Sequence, residues 1–596
     1  MANKKNSNVD KNLIKKFTVL NFIQLGSSLL FSLLMLSFHA DISLLAFPIA
    51  ALYTACIIYF AYFKFIKAGD GNKSTCVLKL IQYLPFVLLL TFILRRSGKS
   101  DTPYWVDVVS VILWFVIFFV SLFSAGMMND KKIGVLTAAF AVPKKKYNKP
   151  EGGLRVLYEI VDWIDAIIQA VFLVLTVQIF VIQFYKIPSE SMVPTFLIKD
   201  KVLVTKVDCG PKFPLTDVGL PTFRTYKRGD TVVLRNPHYS MDRKSEVKTV
   251  VSQLVSMLTF MTVNLNTDEN GEQKADPLVK RIAGVPGDQL VMQDGVLYSR
   301  NSKNQSFQPV VMDAKYANWD LTKCKPEVRN HIQTFPLATS GRTKDEIKKS
   351  AAENYNLMLD LEEERRKFDL TVAEFQAKEL VNKVKKLSSG TKKDGNFVPG
   401  KMDITSLFTN SSGISKDILY KNGGTEWFEK FMTAWIPSKN ENRDMYSEAN
   451  YKLNVMTKIC FGNIVLRRME YDSRGEFSAN LQNDELFMEQ ITKADLLIWY
   501  IQHMLDERNM PVFPPDDENG NAQYIPSDCY FMMGDNRFNS LDLRHSSDFK
   551  SKALAAKDSM SVEYDSNMAP QYVNKKLIIG KPAFRFLPTN RIGRVR

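Results

Sequence analysis

The sequence predicts a multi-span α-helical membrane anchor followed by a mainly β domain, the latter split by a large α-rich insertion. Three observations carry this. Five apolar runs crowd the N-terminal third; short Val/Ile/Leu segments separated by turn residues follow; a charged stretch free of Gly and Pro begins near residue 343. At 596 residues the chain exceeds what one hydrophobic core accommodates.

The runs lie near 17–38, 43–63, 76–94, 104–125 and 164–184. Each is about 19 to 22 residues long, enough for a helix to cross a ~30 Å hydrocarbon layer. Within lipid a helix satisfies its own backbone hydrogen bonds. The first run is too long for a secretory h-region and lacks an A-x-A site after it, so it reads as an uncleaved anchor. The net charge is +15, and the first 165 residues carry 19 Lys/Arg against 10 Asp/Glu. "MANKKNSNVDKNLIKK" and "VPKKKYNKPEGGLR" precede the first and fifth runs and mark the cytoplasmic side. Five crossings then put everything after Tyr185 outside. "RRSGKSD" (95–101) breaks the pattern: either it snorkels to headgroups or the third and fourth runs form a shallower hairpin. The basic residues are scattered, with no zinc-finger, RNP or helix-turn-helix signature, so no nucleic-acid partner is expected.

After the fifth run, "DKVLVTKV", "RGDTVVLRNP" and "VKRIAGVPGDQLVMQDGVLYSRN" have strand and hairpin chemistry. Residues 245–265 read as helix or strand. The charged stretch from 344 places Leu361, Phe368 and Phe375 seven apart, an amphipathic helix or a pair of them. Strand-like sequence returns with "YIPSDCYFMMGDNR". The expected divisions are an N-terminal membrane region over 1–163 with about four helices, a final membrane helix over 164–185, a β domain over 186–300 and 521–596, and a largely helical insertion over 301–520. Of six cysteines, Cys209, Cys324, Cys460 and Cys529 lie outside the membrane runs and allow three pairings. The histidines are scattered and there is no C-x-x-C pair, so no metal site is expected.

"IPSESMVPTF" (187–196) leaves the fifth run directly. A serine hydroxyl is a weak nucleophile at neutral pH and needs a base. Lysine serves when neutral, and burial lowers its pKa by penalising the ammonium. "PLVKRIAGVPGD" supplies Lys280 within an apolar strand, with Arg281 on the opposite face.

"PSESMVPT", "RGDTVVL", "VKRIAGVPGD" and "FMMGDNRFNSLD", in this order after a membrane anchor, closely resemble the boxes of type I signal peptidases, membrane-bound Ser/Lys endopeptidases. "NRIGRV" resembles that family's ending. The resemblance covers roughly 165–300 and 522–596 and leaves most of 1–160 and 300–520 unexplained. It implies a signal-peptidase-like β fold and removal of signal peptides from exported precursors by cleavage after small, A-x-A-like residues through an acyl-enzyme. Ser191 matches the nucleophile and Lys280 the general base. Ser189 Oγ and the Ser191 backbone N–H match the oxyanion hole. Ser540 matches the lysine-orienting serine, and Arg281, Asp535, Asp542 and Arg544 the structural support. Ile187, Met192, Phe196, Leu278 and Val279 resemble the substrate-binding lining. No cofactor is implied. The implied partners are precursor proteins, the lipid bilayer and, as a candidate, the translocation machinery. The implied place is a bacterial cytoplasmic membrane, multi-pass, with a cytoplasmic N-terminus and a periplasmic catalytic domain. Phe538 stands where the family commonly has Asp, and Leu543 replaces a common serine. A self-cleaving repressor-type protease and a catalytically silent scaffold acting through the insertion are the alternatives. The five spans argue against the first, the retained side chains against the second.

Overall fold

The computed structural model describes residues 2–595 apart from 99–101, 139, 143, 146–150, 240–241, 260–261, 264, 268–273, 275, 318–324, 326–327, 329–343 and 476–477. The N-terminal part contains α1 (Ala2–Leu34), α2 (Ala46–Ile57, prolonged by π-helical turns to Lys67), α3 (Ser74–Ser97), α4 (Tyr104–Met127), the short α5 (Asp130–Ala138) and α6 (Gly153–Phe180). All but α5 belong to five helical spans long and apolar enough to cross a membrane. α1 to α4 bury Phe31, Ile81, Leu84, Phe92 and Trp114 against one another. α6 is exposed along most of its length, Trp163 and Ile164 included. Its second half is mostly apolar, while its first half exposes Arg155, Glu159 and Asp162 among apolar side chains.

In this region one of the two alternatives for 95–101 is ruled out and one expectation is corrected. Arg95 and Arg96 do not snorkel. Both are buried and converge on Asp107 of α4, Arg95 Nη2 on Oδ1 and Arg96 Nη1 on Oδ2 at 3.4 Å. Charges inside an apolar bundle are held by pairing with one another. The rest of that stretch, 99–101, lies outside the described residues. The run at 164–184, expected as a final membrane helix to 185, divides: α6 ends at Phe180, and Ile182–Lys186 forms β1. Its backbone pairs antiparallel with β2 (Lys201–Thr205), Phe184 opposite Leu203. An apolar run alone does not distinguish a strand from the end of a helix.

β3 (Thr231–Leu234) follows, then α7 (Arg243–Leu258), which makes the first part of the ambiguous 245–265 stretch helical. Next come β4 (Leu278–Gly284), β5 (Gln289–Gln293), β6 (Val296–Arg300), β7 (Gln308–Pro309) and α8 (Val311–Ala317). After a helical segment come β8 (Met510–Phe513), β9 (Cys529–Met533), β10 (His545–Ala553), β11 (Glu563–Met568), β12 (Val573–Asn574), β13 (Ile578–Leu587) and β14 (Gly593–Arg594). The main sheet is antiparallel in the order β1-β2-β13-β3-β4-β9-β12, with β14 on β13. A second sheet runs β7-β6-β5-β8, and β10-β11 form a hairpin. The penultimate strand therefore closes the main sheet between β2 and β3. One apolar cluster holds Val232, Leu278, Ile282 and Phe531, another Ile187, Met192, Phe196, Val202 and Val233.

The β domain is bolted to the helices by the loop after β2. Phe213 stacks edge-on or tilted against Phe92, Trp114, Phe115 and Phe180. The Leu215 carbonyl accepts from Arg96 Nε (2.9 Å) and Arg243 Nη1 (2.8 Å), and Thr216 Oγ1 donates to Asp107 Oδ2 (3.1 Å).

Between α8 and β8 the described chain is helical, built around the buried helix Met445–Ser473 and flanked by Leu370–Ser389, Ser411–Tyr420 and Glu485–Trp499. The seven-residue stripe is a pair of helices rather than one. The first ends at Lys367, and Asp369 caps the second by accepting from Thr371 and Val372 N–H. The break resets the phase, so Leu361 is buried while Phe375 is 69% exposed. Cys209, Cys460 and Cys529 are free thiols; Cys324 lies outside the described residues.

Candidate active site

The loop joining β1 to β2 carries the first box. Its ends are tied together, Ile187 N–H donating to the Asp200 carbonyl (2.8 Å) and Lys199 N–H to the Ile187 carbonyl (2.9 Å). Met192, Val193, Phe196 and Leu197 are buried and anchor the loop from below. Ser189 is left exposed and Ser191 half-buried on its upper side. Ser189 Oγ donates to Ser191 Oγ at 3.4 Å.

Lys280 lies in the middle of β4, opposite Val232 on β3, and is 2% exposed. Its Nζ donates to Ser540 Oγ at 3.1 Å. Burial lowers its pKa to about 8; nearby Asp542 opposes that shift and Arg544 reinforces it. No hydrogen bond joins Lys280 to Ser191 among the described residues. The two are linked through Gly534, at the end of β9. A Cβ there would stand 2.2 Å from Ser540 Oγ and 2.4 Å from the Ser191 carbonyl oxygen, so the lysine's partner and the serine loop meet over a glycine. Asn536 N–H donates to that same carbonyl (3.1 Å).

Arg281, next along β4, grips Asp535 with two bonds, Nε to Oδ1 at 2.7 Å and Nη2 to Oδ2 at 2.6 Å. The planar fork suits a carboxylate, and both groups are buried. Arg281 Nη2 also donates to Thr195 Oγ1 (3.1 Å), and Thr195 Oγ1 donates to Asp535, so the pair clamps the serine loop to the 534–544 turn. Asp542 accepts from Gly534 N–H (2.8 Å) and from Arg544 Nε (2.9 Å). Burial pushes the Asp542 carboxyl up, but the Arg544 guanidinium outweighs it and holds it well below the usual carboxylate range.

The expected lining residues part company. Ile187, Met192 and Phe196 are buried in one cluster with Val279 packed against it. Leu278 belongs to the other cluster, because neighbours on a strand face opposite sides. Several supporting residues escaped the sequence reading. Besides Thr195, Gly534 and Asn536 these are His545, whose Nδ1 lies 3.2 Å from the Ser540 carbonyl, Asp313, which accepts from Arg537 Nη2 (2.5 Å), and Tyr316, whose ring lies 3.6 Å from the Arg281 guanidinium. The first four adjoin the boxes and could have been found there. Asp313 and Tyr316 sit on α8, where no motif points to them.

Phe538, the departure from the common Asp, is buried in the core of the helical segment. Its ring meets Tyr355 at 6.2 Å and the Arg508 guanidinium at 5.6 Å. A carboxylate there would lie in an apolar core. The departure and the helical segment therefore go together.

Helices long and apolar enough to cross a membrane thus carry an antiparallel β domain in which serines and a buried lysine gather at one turn. Residues 160–363 match the family model described as signal peptidase, peptidase S26, a stretch that takes in Ser191 and Lys280. Over that stretch the chain is similar to type I signal peptidases. Signal peptidase I of Buchnera aphidicola subsp. Schizaphis graminum is 27% identical over 179 residues, 30% of this chain and 44% of that protein. Signal peptidase I of Pseudomonas aeruginosa is 29% identical over 135 residues, 23% of this chain and 46% of that protein. Signal peptidase I P of Bacillus subtilis subsp. natto is 28% identical over 139 residues, 23% of this chain and 50% of that protein. The chain thus spans half or less of the length of these relatives. No solved structure gives a significant match.

Proposed function

We propose that the protein is a signal peptidase I that removes N-terminal signal peptides from exported precursors by a Ser/Lys dyad. Ser191 Oγ attacks the scissile carbonyl while neutral Lys280 takes its proton. Lys280 then protonates the leaving amine, and an acyl-enzyme forms on Ser191. Water activated by Lys280 releases it. Ser189 Oγ and the Ser191 N–H stabilise the oxyanion; removal of one such donor typically costs about 10²–10³ in rate. Ser540 orients Lys280. Arg281 with Asp535, and Asp542 with Arg544, hold the two loops in register. The substrate lies extended beside the site, and apolar side chains around Ile187, Met192, Phe196, Leu278 and Val279 admit only small residues before the cut.

The observation that carries this reading is Lys280: buried, hydrogen-bonded to a neutral hydroxyl, and beside the turn that touches the Ser191 carbonyl. A structural lysine this deep would be expected to pair with a carboxylate. In this reading the five helices anchor the protein in a bacterial cytoplasmic membrane with the β domain on the outer face. The helical segment between α8 and β8 is an elaboration of that domain and a candidate contact for the translocation machinery. The test is cleavage of a full-length secretory precursor in detergent and lipid. Wild type should cut after an A-x-A-like site, and Ser191→Ala and Lys280→Ala should not. Undiminished cleavage by either variant would overturn the mechanism.

A further inference from the structure

A cavity of about 390 Å³ lies away from the Ser191–Lys280 turn, where α3, α6 and α7 meet the β domain. Its volume is within the ~300–1,000 Å³ range of ligand sites. Its two long walls come from helices read as membrane spans. Phe86, Leu89, Leu90 and Ile93 recur on one face of α3, and Val171, Leu175 and Ile179 on one face of α6. The end toward the β domain is different in kind. Lys206, Lys212, Arg235, Lys274 and Lys576 line it, with Glu246 and Asp276 as the lining carboxylates; Lys212 is paired with Asp217 (2.6 Å).

The charges at that end do not cancel. Glu246 is shared by Arg235 (3.3 Å) and Arg243 (3.1 Å). Asp276 accepts from Asn236 N–H (2.9 Å), and burial pushes its carboxyl up. Lys206 Nζ meets only neutral oxygens, the Gln178 carbonyl (3.1 Å) and Gln183 Oε1 (3.2 Å). Among the described residues no carboxylate lies within ion-pair distance of Lys206, Lys274 or Lys576. Lys274 instead rests over the Tyr239 ring at 5.1 Å. Burial, reinforced by Arg235, lowers the Lys206 pKa to about 8, the cost of a cation held without a counter-charge.

We propose that this cavity binds one anionic phospholipid, with one of its two acyl chains between α3 and α6 and its phosphate against Lys206, Lys274 and Lys576. The inference rests on reading the five helices as a membrane anchor and not on the proteolytic chemistry. A slot with apolar walls and one cationic end matches an acyl chain ending in a phosphate. A signal peptide's apolar core would leave those lysines without an anion. The bound lipid joins three elements, α3, α6 and α7, that otherwise meet around an open space.

The test uses the full-length protein in neutral detergent, given equal amounts of phosphatidylglycerol and phosphatidylcholine and read by native mass spectrometry. Wild type should retain phosphatidylglycerol in preference. Lys206→Met combined with Lys576→Met should weaken that retention about tenfold or more while leaving phosphatidylcholine adducts unchanged. Leu175→Trp, which fills the apolar slot and keeps every charge, should abolish it. Equal retention of the two lipids, or retention undiminished in both variants, would overturn the proposal. So would a secretory signal peptide that cross-links to a photoprobe at Leu175 when phosphatidylglycerol is not retained. Lipid retention is read without any cleavage, so failure here and failure of the peptidase reading are separate results.

Discussion

The proposed dyad makes a quantitative prediction about pH. Lys280 moves from 10.5 to about 8 on burial. At pH 7 a free lysine is neutral in about one molecule in 3,000, whereas at pKa 8 about one in eleven is. Burial therefore raises the share of competent base about 300-fold, equivalent to about 3 kcal/mol. Since kcat/KM reports the free enzyme's groups, it should climb about tenfold per pH unit below 8 and level off above it. The assay is the initial rate of precursor cleavage in one lipid–detergent mixture from pH 5.5 to 10. Ser540→Ala should keep the bend near pH 8, because burial and not the hydroxyl sets it. It should lower the plateau about 10- to 100-fold, because Lys280 loses the partner that aims it. A profile flat from pH 6 to 9, or one still rising at pH 10, would refute a burial-activated Lys280.

Lys280→Met should abolish cleavage yet raise stability at pH 7 by about 3 kcal/mol, seen in denaturant melts. The sign follows from the lowered folded pKa: below pH 8 folding must bury an ammonium, and that cost fades between pH 8 and 10.5, so the gap between variant and wild type should close there. A variant less stable than wild type at pH 7 would contradict this. Gly534→Ala should force Ser540 and the Ser191 loop apart, costing about 1–3 kcal/mol in folding and at least about 100-fold in single-turnover cleavage; a wild-type rate would show that the close approach is unimportant. Phe538→Asp, which restores the family's common residue, should destabilise by about 3 kcal/mol or more by placing a carboxylate in the helical segment's core, and faster limited proteolysis of that segment should report it.

The five long apolar helices, the β domain and the helical stretch could all be read from the chain, because span length, alternation and the loss of Gly and Pro are local properties. The contacts of Lys280 with Ser540 and of Arg281 with Asp535 join residues that each sit inside a short box. What escaped was set by contacts between distant segments. Asp107 lies across a turn from Arg95 and Arg96, and nothing local says that it turns toward them. β1 was hidden at the end of an apolar run because its partner is a strand yet to come. Phe538 packs against Tyr355 and Arg508, which come from other parts of the chain and which no local pattern ties to it.

The Phe213 wedge and the doubly bonded Leu215 carbonyl bear on which peptide bond would be cut. A β domain on a slack tether would sample many heights above the bilayer. Here a single residue, Val181, separates α6 from β1, and the loop after β2 is pinned among α3, α4 and α6. Under the proposed activity the serine is then held at one fixed depth, and the protein measures substrates from the hydrocarbon edge as a gauge block measures from a table. A precursor whose apolar core is longer or shorter by a helical turn would present a different bond at that height. Cleavage would then be chosen by distance before any side-chain pocket is consulted.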